Sequence, residues 1–313
     1  MRIVVHLEHE VPAFTPSPRQ AEALRQALAA HDVRICRDRD AFFEGLPAAE
    51  AAVVWEFAPE WYERAPALRH VFTPAAGRER VAADPRGRVV PTYGTFHGRI
   101  MAESLLAMIG FVSRRFGAAL DAQRRHAWDR APYLRLARLA GQTVLIVGYG
   151  HIGRHCGRLL KAVGMRVHAL KRDVSVGTEG ADRVFAPAEL HAALPHADHV
   201  VCILPGDTGT DGLIDREAFA RMKPGAAVYN IGRGNAIDAG ALEEALRAGR
   251  IAAAFLDVLP EEPLPPGSPL WSVPNLIITP HVSALTADYL DLYFEELVPL
   301  LERCATERAP VRD

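Results

Sequence analysis

Cysteine is scarce in this sequence, and the few cysteines form no pattern. Cys36, Cys156, Cys202 and Cys304 are widely separated among 313 residues, and no two of them make a Cys-x-x-Cys pair. This spacing is typical neither of a zinc site nor of a disulfide framework. We therefore expect reduced, mostly buried thiols and no metal site.

The sequence also lacks a strong charge of either sign and a long apolar run. Its 36 Lys and Arg residues nearly balance 38 Asp and Glu residues and are spread along the chain, unlike the clustered basic footprint of a nucleic-acid-binding protein. The longest apolar segment, Ile100–Val112, is shorter than a membrane span. No basic leader with a cleavage site is visible. We therefore predict a cytoplasmic protein that contacts neither nucleic acid nor membranes.

The sequence is rich in short apolar segments that alternate with helical ones. Such alternation predicts parallel sheets with helices packed around them. A helix that is apolar on nearly every side is predicted over Ile100–Phe116, with an amphipathic piece continuing to Trp128, and a last helix over Leu285–Cys304. The predicted strands are Met1–Leu7, Val33–Cys36, Ala52–Trp55, His70–Thr73, Arg88–Pro91, Thr143–Val147, Arg166–Leu170, His199–Leu204, Ala226–Ile231, Ile251–Leu256 and Leu276–Thr279.

The stretch Thr143–Gly153, TVLIVGYGHIG, organises the second half of the chain. It reads as a buried strand, a glycine-rich turn and the start of a helix. Gly148 would allow the tight turn, Gly150 would let a pyrophosphate approach the backbone, and Gly153 would let the helix pack close to the strand. The N–H groups at the helix start would hold the phosphates. The pattern predicts dinucleotide binding, the alternative being a tight strand-to-helix turn with no ligand.

Together these patterns predict an α/β protein of two domains. Residues 98–284 would form a Rossmann-type, doubly wound parallel sheet for the dinucleotide. Residues 1–97 with 285–313 would form a smaller, flavodoxin-like α/β substrate domain, on which the last helix could return to pack.

Three side chains follow three successive strands of the predicted nucleotide domain: Arg233, Glu262 and His281. Ligands of doubly wound sheets lie beyond the carboxyl ends of the strands. The set fits hydride exchange with a 2-oxo acid, because Arg233 could hold the carboxylate and developing oxyanion. His281 could deliver the proton, and Glu262 could orient the imidazole. Each residue alone could be an ordinary solvated or structural side chain, but their shared edge favours a catalytic set.

The sequence resembles the D-isomer-specific 2-hydroxyacid dehydrogenase family in several motifs. The similar segments are TVLIVGYGHIG, NIGRG (230–234), DVLPEEPL (257–264) and TPHV (279–282), with weaker patterns in LRHVFTPAAGRERV (68–81) and AESLLAMIG (102–110). Glu79, Ser104 and Leu259 depart from frequent family residues. The basic residues at the cofactor position and the segment NLIITPHVSALT are most similar to the glyoxylate and hydroxypyruvate reductase branch.

The resemblance implies residue roles and an assembly. Arg233 would bind substrate, Glu262 would pair with the acid/base His281, and the N–H groups of Ala76 and Gly77 would hold the substrate carboxylate. It implies a homodimer joined through an arm at about 111–128. It also places Asp257 beside the nicotinamide ribose. The other cofactor contacts that we predict are Gly148, Tyr149, Gly150, His151, Ile152, Gly153, Lys171, Arg172, Leu204, Pro205, Thr210, Ile231 and Gly232.

The residues after the second strand of the nucleotide domain bear on the choice of cofactor. An NAD-type domain usually places Asp or Glu there, for the ribose 2′-hydroxyl. Here Lys171 and Arg172 occupy that place, and two cations suit a 2′-phosphate. We therefore predict that NADP(H) is preferred and NAD(H) possible. Asp173 would favour NAD if the strand ended two residues later.

We predict that the protein reduces glyoxylate or hydroxypyruvate to the 2-hydroxy acid. The rival interpretation is a dinucleotide-sensing binding protein or corepressor without significant turnover. A basic or peptide-binding extension would favour that rival, and the sequence shows neither.

Overall fold

The computed structural model describes residues 1–134 and 136–306. The chain divides into two compact units, which we call unit 1 and unit 2. Unit 1 is Met1–His97 together with the chain from Leu285 onward, and unit 2 is Gly98–Ala284. None of the helices within the described residues is both long and apolar enough to cross a bilayer.

The two units contain parallel strands and α-helices in alternation. The strands are β1 (Arg2–His6), β2 (Asp32–Ile35), β3 (Ala51–Val54), β4 (His70–Thr73), β5 (Thr92–Tyr93), β6 (Thr143–Val147), β7 (Arg166–Leu170), β8 (Arg183–Phe185), β9 (His199–Cys202), β10 (Ala227–Asn230), β11 (Ala253–Leu256) and β12 (Leu276–Ile278). The helices are α1 (Pro18–Ala27), α2 (Arg39–Gly45), α3 (His97–Ser113), α4 (Phe116–Arg124), α5 (His151–Ala162), α6 (Leu190–Ala193), α7 (Arg216–Arg221), α8 (Ala239–Arg247) and α9 (Tyr289–Thr306).

Unit 1 is built on a five-stranded sheet in the order β2-β1-β3-β4-β5. This is the strand order of flavodoxin-like folds. The central strand β3 is buried at every position, which explains its continuous apolar sequence. Helix α9 joins this unit through a 2.8 Å hydrogen bond from Gln20 Nε2 to Asp291 Oδ2 and through the Phe14 and Tyr289 rings, whose centroids are 4.5 Å apart.

Unit 2 is built on a seven-stranded sheet in the order β12-β11-β10-β9-β6-β7-β8. The order is that of a Rossmann sheet with one strand added beyond β11. Strand β6 lies between β7 and β9, and all five of its residues are buried. Helices cover both faces, so each face of the sheet has its own apolar cluster. The predicted fold class, two α/β domains with parallel sheets, is confirmed.

The strand predicted at Arg88–Pro91 is wrong. The buried carboxylate of Asp84 accepts hydrogen bonds from the N–H groups of Arg86, Arg88 and Val89, which removes those donors from any strand ladder. Pro91 has no N–H to offer. The edge strand β5 therefore forms only at Thr92–Tyr93, where it pairs with β4.

Two further differences have local causes. The predicted helix over 100–116 begins earlier, at His97, and ends at Ser113, because Arg115 adopts a left-handed conformation with φ of 53° that separates α3 from α4. The short strand β8 was not predicted. It has only three residues and follows a glycine-containing loop, so it offers too few positions to show a period.

Candidate active site

The three predicted catalytic residues follow three adjacent strands of unit 2. Strand β11 pairs in parallel with β10 on one side and with β12 on the other. The carboxyl ends of the three strands therefore lie at one edge of the sheet. Arg233, Glu262 and His281 come within the loops that leave this edge.

The imidazole of His281 contacts the carboxylate of Glu262 directly. His281 Nδ1 lies 2.8 Å from Glu262 Oε2, and the other carboxylate oxygen accepts a 2.9 Å hydrogen bond from the N–H of Leu259. An ionised carboxylate can only accept, so His281 Nδ1 carries the shared hydrogen. The opposite ring nitrogen, Nε2, is then the atom that can exchange a proton with a ligand. Half of the imidazole side chain is exposed.

The backbone of His281 adopts a conformation that residues other than glycine rarely adopt. Its φ is 55°, in the left-handed region, and such a residue persists only where its surroundings impose it. Asp257 imposes it here. The N–H of His281 donates to the Asp257 carbonyl at 2.9 Å, while the N–H groups of Val282 and Ser283 donate to its carboxylate at 2.9 and 2.8 Å.

Asp257, which the family resemblance places beside the nicotinamide ribose, also has a structural role in the protein. The residue is only 1% exposed. Besides the two N–H groups, its carboxylate accepts a 2.6 Å hydrogen bond from Thr279 Oγ1. With three protein donors, this carboxylate positions the loop that carries His281, and its place beside the nicotinamide ribose stays a prediction.

Two residues that support this loop were given no such role from the sequence. Thr279 anchors the loop to Asp257, and Ser104 Oγ donates to the Ser283 carbonyl at 2.8 Å, which fastens α3 to the same loop. The strand-end position of Asp257 could have suggested the Thr279 bond. Nothing in the sequence near Ser104 indicates its partner, because 179 residues separate the two.

Arg233 lies in a turn that the preceding asparagine shapes. Asn230 Oδ1 accepts from the Gly232 N–H at 3.1 Å, and Asn230 Nδ2 donates to the Arg233 carbonyl at 2.9 Å. A Cβ at Gly234 would collide with the backbone of Leu259, so the loop after β10 packs directly on the loop after β11. The turn thus holds half-buried Arg233 close to Leu259, whose N–H binds Glu262.

Ala76 and Gly77 lie in unit 1, in the loop that follows β4. The Ala75 N–H donates to Thr73 Oγ1 at 3.2 Å, and the Ala75 carbonyl accepts from the Gly94 N–H at 3.1 Å. These bonds fix the start of the loop at the carboxyl edge of the first sheet. At the same edge, a cavity of about 400 Å³ lies at the ends of β1 and β3, lined by His6, Glu8, His9, Glu10, Arg39, Trp55, Glu56 and Arg80.

The glycines after β6 fit a dinucleotide. Gly148 has φ of 101°, and a Cβ there would collide with the Ile203 carbonyl; at Gly153 it would lie 2.6 Å from the Gly148 carbonyl. The packing of the protein itself therefore requires these two glycines. Among the described residues, no atom beyond the adjoining residues and turn of the chain lies within 4 Å of a Cβ built on Gly150. The open space beside Gly150, at the start of α5, is where a pyrophosphate would meet bare backbone and helix N–H groups.

The other predicted cofactor residues divide into surface and core positions. Tyr149 is fully buried, its N–H donates to the Leu170 carbonyl, and its hydroxyl donates to the Glu179 carbonyl at 3.0 Å. It is therefore a core residue and offers no side-chain contact. His151 is exposed and Ile152 half-buried in the first turn of α5.

The loops after β9 and β10 are closely apposed. A Cβ at Gly232 would lie 2.5 Å from the Leu204 N–H nitrogen, and Ile231 is buried. Thr210 Oγ1 donates to the Pro205 carbonyl at 2.8 Å, which closes the loop after β9. The backbone of both loops thus lies along the edge that also carries Gly148.

Lys171 is the first residue after β7, which ends at Leu170. Its ammonium donates to the Val176 carbonyl and, at 3.1 Å, to the Gly177 carbonyl. Arg172 is exposed. Asp173 accepts from Ser175 Oγ at 2.6 Å and from the Ser175 N–H at 3.0 Å; these bonds, with the nearby Lys171, lower the pKa of its carboxyl. The acidic residue is therefore turned toward its own loop.

Residues 106–283, more than half of the chain, match the family model described as "D-isomer specific 2-hydroxyacid dehydrogenase, NAD binding domain". The chain belongs to the D-isomer specific 2-hydroxyacid dehydrogenase family. The matched segment includes the glycine loop, Arg233, Glu262 and His281. Within the described residues, no group of three or more His, Cys, Asp or Glu side chains is arranged to hold a metal ion.

Relatives with different names are similar in sequence to this chain. The D-3-phosphoglycerate dehydrogenase of Mycobacterium bovis is 34% identical over 260 residues, which is 81% of this chain and 49% of that protein. The chain thus spans about half the length of that relative. The hydroxypyruvate reductase of Blautia hydrogenotrophica is 31% identical over 235 residues, covering 72% of this chain and 71% of the relative.

A solved structure extends the similarity to nearly the whole chain. The NADPH-dependent glyoxylate/hydroxypyruvate reductase of Sinorhizobium meliloti, in complex with NADP and sulfate, superposes with a TM-score of 0.79 at 26% identity. The superposition covers 99% of this dehydrogenase-family chain and 96% of the other.

Proposed function

We propose that this protein reduces a short 2-oxo acid, glyoxylate or hydroxypyruvate, to the 2-hydroxy acid with NADPH in preference to NADH. The observation that carries the proposal is the His281–Glu262 pair, in which Nδ1 is 2.8 Å from the carboxylate. The pair leaves Nε2 as the proton donor at the same sheet edge as the glycine loop. A binding protein without turnover has no need of such an oriented imidazole.

The residues divide the chemistry among them. When bound, the reduced nicotinamide supplies a hydride to the carbonyl carbon. His281 Nε2 delivers a proton to the carbonyl oxygen, and Glu262 stabilises the imidazolium charge before that transfer. The guanidinium of Arg233 binds the substrate carboxylate with its planar fork and stabilises the developing oxyanion. The N–H groups of Ala76 and Gly77 hold the carboxylate as well.

The choice of substrate rests on two lines of support. The Blautia relative is a hydroxypyruvate reductase, and the Sinorhizobium structure is a glyoxylate/hydroxypyruvate reductase that this chain covers almost completely. The two-carbon and three-carbon 2-oxo acids are therefore the first substrates to test.

The cofactor preference rests on charge after β7. Lys171 directly follows the last residue of β7, and the carboxylate of Asp173 already accepts a hydrogen bond from Ser175. Two cations and no available carboxylate favour the 2′-phosphate over the 2′-hydroxyl. The NADP in the Sinorhizobium structure supports the same choice.

We further propose that the protein is a homodimer joined through the arm at 111–128. Apolar side chains on and after α4 are exposed: Phe116 is 52%, Leu120 44% and Trp128 89% exposed. Exposed apolar groups of this density mark interaction sites. Light scattering after gel filtration tests this, and Leu120→Glu with Trp128→Glu should yield monomers.

The deciding experiment measures absorbance at 340 nm with glyoxylate, hydroxypyruvate, pyruvate and 3-phosphohydroxypyruvate, each with NADPH and NADH. We expect turnover of the first two, fastest with NADPH, and strong loss in Arg233→Ala and His281→Ala. His191→Gln, an exposed histidine on α6, serves as the matched control. Equal rates in all variants, or turnover of none of these acids, would reject the proposal and favour a dinucleotide-sensing protein.

A further inference from the structure

One cation of unit 2, Arg154, has no role in the proposed reaction or in the proposed cofactor preference. Arg154 belongs to the first turns of α5, directly after the last glycine of the dinucleotide loop. Lys171 and Arg172 follow β7. The segments 150–154 and 171–178 together contain three cations and one carboxylate, Asp173, which accepts hydrogen bonds from Ser175.

Arg154 and Lys171 meet at Gly177. A Cβ built on Gly177 would collide with Arg154 Nη1 and would lie 3.1 Å from Lys171 Nζ. Gly177 has φ of 61°, so the turn also needs glycine for its backbone. Two side chains from different elements thus place positive charge against one point of the loop.

The loop holds Lys171 in this position through carbonyl oxygens. The ammonium donates to the Val176 carbonyl and to the Gly177 carbonyl. Carbonyl groups orient the ammonium but do not neutralise it, and a guanidinium beside it adds like charge. Two cations that approach the same point of the loop favour an anion beside them. The position, after the strand next to β6, is where the adenosine ribose of a dinucleotide lies in this fold.

We propose that Arg154, Lys171 and the Gly177 turn form a clamp for the 2′-phosphate, and that Arg154 is a specificity-determining residue for NADPH. The proposal rests on the proposed cofactor preference and deepens it. Arg154 is not among the residues that sequence reasoning assigned, because it lies in the helix that follows the glycine loop, 17 positions before Lys171.

The test measures binding rather than turnover. Isothermal titration compares adenosine 2′,5′-bisphosphate with 5′-AMP, two ligands that differ only in the 2′-phosphate. We expect the wild type to bind the bisphosphate at least tenfold more tightly. Arg154→Gln should lower this ratio about tenfold, since one charge-assisted contact is lost, while 5′-AMP binding changes less than twofold.

Two variants and a control sharpen the result. Gly177→Ala should lower the ratio as well, because its methyl group displaces both cations. Arg154→Lys should retain part of the ratio. Arg158→Gln, an exposed arginine one turn further along α5, should leave the ratio within twofold. Circular dichroism and thermal unfolding confirm that each variant is folded.

The outcomes separate this proposal from the cofactor preference. A high wild-type ratio that Arg154→Gln leaves unchanged would overturn the clamp and leave the NADPH preference intact. A wild-type ratio near one would overturn both. Neither result bears on whether glyoxylate or hydroxypyruvate is reduced, which the absorbance assay measures independently.

Discussion

At the carboxyl edge of the seven-stranded sheet, the loop after β12 is fastened to a buried carboxylate, whereas the loop after β7 is fastened by carbonyl oxygens to a lysine near the surface. Asp257 is 1% exposed and binds three donors of the histidine loop. Lys171 is partly exposed, and most of its loop lies in solvent. The buried anchor fixes the orientation of the proposed proton donor, His281. The surface loop can change its charge at little cost to the fold, and so it can set the choice of cofactor.

The largest effect is expected when the imidazole is removed from the loop after β12, which the buried carboxylate anchors. His281→Gln should lower kcat by roughly 10²- to 10⁴-fold, the usual contribution of a positioned general acid, with NADPH binding unchanged within twofold. Stopped-flow and steady-state kinetics measure the two effects. His191→Gln should show wild-type kcat. A loss of less than tenfold in His281→Gln would mean that another group supplies the proton.

Removing the buried anchor tests whether the rigidity itself matters. Asp257→Ala deletes the acceptor of three hydrogen bonds and should cost about 2–4 kcal/mol of unfolding free energy, together with a large loss of kcat. Thr279→Val removes a single donor and should cost about 1 kcal/mol. Denaturant unfolding and kcat are measured side by side. Wild-type kcat in a folded Asp257→Ala variant would show that the left-handed His281 needs no such anchor.

A substitution in the exposed loop after β7 should change the cofactor preference and leave the rate of the reaction nearly unchanged. Lys171→Asp replaces a cation by an acceptor suited to a ribose hydroxyl, and we expect the ratio of kcat/KM for NADPH over NADH to fall about 100-fold. The kcat at saturating NADH should stay within threefold of the wild type. An unchanged ratio would place the selection of cofactor elsewhere.

The opposite edge of the same sheet should govern stability against pH. His199 is buried between Tyr229 and Gln142, with Nδ1 3.1 Å from the tyrosine hydroxyl and Nε2 2.6 Å from the amide oxygen. Burial lowers its pKa to about 4. The unfolded chain therefore takes up a proton between about pH 6.5 and 4 that the folded chain does not, so the stabilisation is complete above pH 6.5 and declines as the pH falls.

The expected size of this effect is about 2 kcal/mol between pH 7 and pH 5. Denaturant unfolding at the two pH values should show a smaller decline in His199→Gln than in the wild type, whereas His191→Gln should follow the wild type. An equal decline in all three proteins would remove His199 as the cause. This measurement also separates acid effects on folding from those on catalysis.

Sequence reasoning succeeded where local pattern and tertiary structure agree. Buried strands such as β3 and β6 have continuous apolar sequences, and the glycine turn after β6 is identified by the spacing of its glycines. It failed where a distant or local side chain takes the backbone donors, as Asp84 does before β5. It predicted that Glu262 could reach the imidazole, but it did not predict that Asp257 anchors the loop of His281, because the burial of a side chain at a strand end is not visible in the sequence.

The hydrogen bonds that orient His281 leave part of the neighbouring loop free to change in sequence. The orientation of the imidazole depends on groups at the ends of β11 and β12, and only Glu262 and its Leu259 partner belong to the intervening turn. Residues 265–272 of the same segment make none of the hydrogen bonds described for Asp257, Glu262 and His281. Drift or laboratory selection can therefore remodel these residues while the imidazole keeps its orientation.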